Sequence, residues 1–130
     1  MVYFENDYAS VDFLEDEKIV VLKWKKDEDR SGNYRFTLTK ALAVTKKFSV
    51  KSWLSDVNNI SAVGSEVFDW VVKTLAPSMR EDFLNKIAFV GKGDVVKLFE
   101  NDELKEVARK RKIRIKTFNR KEPALKWLTK

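Results

Sequence analysis

Apolar runs alternate along the chain with stretches of helical period, and the spacing within each run predicts its element. From Tyr8 to Leu14, Ala9, Val11 and Phe13 alternate with Ser10 and Asp12, the period-two pattern of a half-buried strand. Glu15-Asp16-Glu17-Lys18 reads as a polar turn. Ile19-Val20-Val21-Leu22, followed by Trp24, is a continuous apolar run suited to a strand covered on both faces. So short a connection predicts an antiparallel hairpin.

Lys25 to Arg30 is a charged loop, and Ser31 as N-cap predicts a helix reaching about Phe48. Tyr34, Leu38, Ala41, Leu42, Thr45 and Phe48 fall three and four apart, one face of that helix, and Lys46-Lys47 suit its C-terminal dipole. Ser52 to Val57 is the next buried strand. Gly64-Ser65 opens a second helix whose buried side takes in Val67, Trp70, Val71 and Thr74, widened by Phe68, Val72 and Leu75. Pro77 ends it or starts a turn from Ser78 to Leu84. Lys86 to Val90 is a third buried strand, Gly91-Lys92-Gly93-Asp94 a loop, and Val95 to Phe99 a short helix or turn. Asp102 to Lys112 is helical, Ile113 to Phe118 is a strand, and Pro123 to Leu128 is a closing helix. The order β-β-α-β-α-β-α-β-α predicts a single α/β domain over residues 1–130. Its sheet is mixed and mostly parallel, with an N-terminal antiparallel hairpin strand and helices packed on it.

Composition narrows the chemistry. The chain has no histidine and no cysteine, which removes the commonest general base, the commonest transition-metal ligands, thiol chemistry and disulfides. No cofactor and no metal site is expected, and an enzyme is the last of the function classes. No apolar run approaches a membrane span, and the N-terminus lacks an export pattern, so a cytoplasmic location is expected. Net charge is +6 but polarised: residues 1–29 carry nine acids against four bases, residues 105–130 eleven bases against two acids.

Ligands of open α/β sheets gather outside the carboxyl ends of the strands, which directs attention to Asp56, Asn58, Asn59, Ser61 and Ser65 as candidates for an interaction or anion site. Asp56 is a lone carboxylate, better suited to accepting backbone N–H groups than to catalysis. Ser61 and Ser65 are positioned to cap a helix or to carry phosphate. Gly91-Lys92-Gly93-Asp94 lacks the spacing of a phosphate-binding loop and reads as a turn. A basic patch comprises Arg109, Lys110, Arg111, Lys112, Arg114 and Lys116, continued by Arg120 and Lys121. Its cations suit a helix C-terminus, and Arg114 and Lys116, alternating with Ile113 and Ile115, guard an edge strand. No aromatic residue interrupts the basic run from Arg109 to Lys116, so sequence-specific nucleic-acid binding is not expected. Trp24, Trp53, Trp70 and Trp127 read as core.

The segment Phe118-Asn119-Arg120-Lys121-Glu122-Pro123-Ala124-Leu125-Lys126-Trp127-Leu128 resembles the C-terminus of the SpoIIAA-like family of small bacterial STAS-type proteins. Trp53-Leu54-Ser55-Asp56, Trp70 and Ile87-Ala88-Phe89-Val90 are similar to it as well. The resemblance implies a non-enzymatic regulatory or protein-interaction module, with a protein partner or a homo-oligomer. Relatedness to the CRAL-TRIO fold gives the alternative, a domain for a lipid or other small apolar ligand. Switching members carry a Ser in an Asp-Ser-rich turn; here Val57-Asn58-Asn59-Ile60 follows Asp56, and Ser61 and Ser65 lie outside that motif.

Overall fold

Period-two alternation lets one strand serve two layers, and the computed structural model, which describes residues 2–26, 32–60, 64–78 and 84–130, carries it through a six-stranded sheet. The strands are β1 (Val2–Glu5), β2 (Ala9–Leu14), β3 (Ile19–Trp24), β4 (Ser52–Asp56), β5 (Lys86–Val90) and β6 (Arg114–Phe118). The helices are α1 (Asn33–Phe48), α2 (Ser65–Trp70), α3 (Asp94–Leu98), α4 (Asp102–Lys110) and α5 (Lys121–Leu128). β1, β2 and β3 form an antiparallel meander, and β3 to β6 run parallel. Among the described residues no helix is long and apolar enough to cross a membrane.

Strand order follows chain order from β1 to β6. Each parallel crossover steps the same way, so right-handed connections keep α1, α2 and α4 on one face of the sheet. There Val20, Trp53, Ile87 and Ile115 stand side by side in register, and the first three are buried with Tyr34, Ala41 and Ala108 of the helices. α5 follows β6 and turns back over the opposite face, where Ile19, Leu54, Ala88 and Val90 pack against Ala124 and Leu128.

The hairpin of β2 and β3 forms as expected, Leu14 opposite Ile19 and Ala9 opposite Trp24, with Lys18 in its turn at φ 59°. β1 was not expected. It is a mostly exposed edge strand whose register slips between Val2 and Phe4, and Lys25 Nζ ties it to the end of β3 through Glu5 Oε2 at 2.6 Å. Ser31, expected to cap α1, lies outside the described residues. The helix begins at Asn33 after Gly32, which has φ 69° and gives no side-chain cap. Thr37 and Val44 are buried on α1 where Leu38, Leu42 and Phe48 were expected to lead; those three pack at the edge of the core.

The second helix departs most from its expected geometry. After Trp70 it widens into a π-helix over Val71–Leu75 and then tightens to a 3-10 turn over Ala76–Ser78, which includes Pro77. The Ala76 N–H reaches the Val71 carbonyl, five residues back. With the wider turn, Val67, Val72 and Leu75 are buried while Thr74, expected inside on a 3.6-residue period, is exposed. α4 is capped by Asn101, whose side-chain oxygen accepts from the Glu103 and Leu104 N–H groups. It stops at Lys110, two residues before the expected Lys112, which has φ 60°.

Candidate functional site

Trp53, Ser55 and Val57 alternate along β4 and just beyond it, so all three side chains lie on the face covered by α1, α2 and α4. Neighbouring strands add Trp24 from β3 and Ile87 and Phe89 from β5. Between them and the helices lies a cavity of about 80 Å³, closed on most sides and walled almost wholly by apolar atoms. Val67, Phe68, Val71, Leu75 and Ala76 make its roof, so the π-helical segment is part of the wall. Tyr34 of α1 and Leu104 and Ala108 of α4 close the sides.

The walls are held by specific contacts. Trp53 Nε1 donates to Thr45 Oγ1 at 2.6 Å, and that hydroxyl donates to the Ala41 carbonyl at 2.8 Å, so the indole is fixed to α1. Trp24 and Tyr34 meet edge to face with ring centroids 5.1 Å apart. Phe89 stacks on Phe99 at 4.0 Å. Gly91 lets this end of the sheet close: a Cβ there would stand 2.8 Å from a Val57 methyl and 2.9 Å from one of Val96. The Gly91–Asp94 loop is thus a point of close packing, and Gly93 within it has φ 76°.

The residues singled out beyond β4 do not converge on the cavity. Asp56 shares a register row with Lys23, Val90 and Phe118 on the opposite face. Its Oδ1 accepts from the Asn58 N–H at 3.0 Å and from Asn58 Nδ2 at 2.9 Å, which makes it the pivot of a local turn. Asn59 Nδ2 donates to the Trp24 carbonyl at 3.2 Å and pins the crossover to the end of β3. Ser65 is the exposed first residue of α2, after a Gly64 that provides no side-chain cap. Ser61 lies outside the described residues.

The basic patch divides in two. Arg109 is engaged by Glu106 of its own helix at 2.6 and 3.1 Å; this bond holds the Glu106 carboxyl below its usual range and raises the guanidinium. Lys110 and Lys112 are exposed beside it. Arg114 and Lys116 project from β6 on the α5 side, Arg114 5.9 Å from the centre of the Trp127 ring and Lys116 5.4 Å from that of Phe118. The aromatic partners missing from the basic run in sequence are supplied in space, and they come from the protein itself. Lys86, which the sequence did not mark, is buried behind them. Its ammonium donates to the Trp127 carbonyl at 2.9 Å and to the Lys130 main-chain oxygen at 3.3 Å. Burial, then the Arg114 and Lys130 charges, push its pKa below the ordinary lysine value. Among the described residues no group of three or more acids could hold a metal ion.

Sequence reasoning looked past Ser55. Its signal was a hydroxyl in the apolar phase of a buried strand, between Trp53 and Val57. No protein-family model, no curated protein and no solved structure matches this chain, so the site is read from its own geometry.

Proposed function

We propose that the protein is a binding domain for a small apolar ligand held between the sheet and its helical layer. The cavity carries this reading. At about 80 Å³ it is several times the roughly 10–15 Å³ that admits one water, and about half the roughly 150 Å³ of an apolar cavity that takes a benzene ring. Its walls offer almost no polar partners, so an apolar occupant is favoured over water. The space suits one ring or a short chain rather than a long acyl chain. The roof also supports the reading, because π-helical turns recur at functional sites and here one forms part of the wall.

The test is a titration with toluene, followed by thermal midpoint and by the emission of Trp24 and Trp53, which line the cavity. The expected result is a midpoint that climbs with toluene concentration, since a ligand at a hundred times its Kd adds about 2.7 kcal/mol of stability. Ala108→Phe, which fills the space from α4, should abolish the climb. A midpoint and emission unmoved by toluene in the wild-type protein would overturn the proposal.

A second reading is the STAS-type interaction module. It is supported by the crossover after β4, where Asn58, Asn59, Gly64, Ser65 and Glu66 are all exposed between two packed elements. Substituting these exposed residues leaves toluene binding intact and removes partner binding if that reading holds.

A further inference from the structure

The cavity's walls are almost wholly apolar, and one side chain in them stands out. Ser55 is 5% exposed, contributes the one aliphatic hydroxyl of the lining, and makes no hydrogen bond to a described residue. Its register neighbours, Leu22 of β3 and Phe89 of β5, present hydrocarbon. The nearby Trp53 N–H is already committed to Thr45. The Ser55 hydroxyl is not among the fully enclosed side-chain atoms left without a partner; it opens onto the cavity, where a ligand atom can meet it.

We infer that Ser55 sets the class of ligand: a compact, neutral ring carrying a single hydrogen-bonding group, with that group on Ser55 Oγ and the ring against Trp24, Trp53 and Phe89. The inference rests on the cavity being a ligand site. Water fits poorly, because it needs two to four polar partners and these walls supply few. A charged ligand is excluded by desolvation, since Tyr34 is the lining's sole ionisable side chain. A pure hydrocarbon fills the space and leaves the hydroxyl unpaired. A phenol-like molecule satisfies both conditions, and its ring can meet the surrounding indoles edge to face.

The experiment compares phenol with toluene, two rings of nearly equal size that differ in hydroxyl against methyl, by titration of tryptophan emission. An unbroken apolar wall favours toluene, because phenol surrenders its hydration without recompense. The wild-type protein is expected to prefer phenol by about tenfold, the worth of one hydrogen bond of ordinary strength. Ser55→Ala should retain toluene and bring phenol to parity or below. The wild-type comparison needs no variant, and Ser55→Thr, which keeps the hydroxyl, should keep the preference if Ser55→Ala does not fold. Toluene binding with no preference for phenol, or a preference that survives Ser55→Ala, overturns the assignment of Ser55 and leaves the cavity as a ligand site. Binding of neither compound overturns both.

Discussion

The two faces of the sheet are covered in opposite ways. On one, three crossover helices share the work, and where α1, the π-helical continuation of α2 and α4 converge the side chains leave about 80 Å³ between them. On the other, among the described residues, α5 alone covers the parallel strands. It sits close because the meeting residues are small: Ala88 of β5 and Ala124 of α5 are both fully buried. The contrast shows that number of helices is no measure of packing. Several helices meeting over large aromatic rings leave an enclosed interstice, whereas the space beside α5 is an open groove at its edge, lined by Leu14, Ile19, Pro123 and Leu125. Polarity divides the same way. The cavity face keeps charge out, while the α5 face disposes of Lys86, Arg114 and Lys116 by setting them against Trp127, Phe118 and helix-end carbonyls.

The largest effects that probe this contrast come from the two tryptophans. Trp53 is buried and hydrogen-bonded to α1, so Trp53→Ala should cost about 3–5 kcal/mol. Trp127 is half-buried on α5 and loses partial burial and cation–ring contacts, so Trp127→Ala should cost about 1–2 kcal/mol. Equal shifts in denaturant midpoint would mean the α5 face is as deeply packed as the other. A smaller effect separates the faces by the opposite kind of change. Ala88→Val should cost about 1–3 kcal/mol by overpacking beneath α5, whereas Ala108→Val, at the cavity wall, should be neutral or stabilising. If Ala108→Val is the more damaging of the two, the cavity has no room to give.

The smallest effect is a pH dependence. The Lys86 pKa is lowered by folding, so between its folded value and the ordinary lysine value the unfolded chain holds a proton that the folded chain has released. Stability therefore rises with pH across that window, and below it the buried ammonium is a constant cost. Lys86→Met removes this titration. Wild-type stability should gain on the variant's as pH rises through the alkaline range toward the ordinary lysine value. A difference independent of pH there would remove Lys86 from the account.

Much of the sheet was legible because its signal is local. Period-two alternation and continuous apolar runs located β2 to β6 to within a residue or two, and short connections implied the hairpin. β1 was not legible: four mostly exposed residues with a slipped register at Val2 and Phe4 show no alternation to read. The π-helical turn escaped because a fixed 3.6-residue period cannot register an extra residue, which is why Thr74 was placed inside. The cavity was not legible for a topological reason. The expectation that ligands gather at strand ends belongs to sheets whose strand order reverses and so opens a crevice. In this sheet the order never reverses, and Asp56, Asn58 and Asn59 at that end are occupied in holding the crossover. The space lies instead within the helical layer, where its size depends on how side chains from distant segments fail to meet.

Strand order that follows chain order also fixes the sequence in which the molecule can be made. During synthesis each new parallel strand finds its neighbour already formed, and each crossover helix arrives before the strand that follows it. α5 is different, because it covers strands that were all completed before it. Until Lys121–Leu128 leaves the ribosome, Ile19, Leu54, Ala88 and Val90 form a bare apolar strip on a nearly finished sheet. A nascent chain halted before Lys121 therefore exposes a sticky surface of the kind chaperones and proteases recognise. The eight residues of α5 act as a seal over strands that are all in place before it.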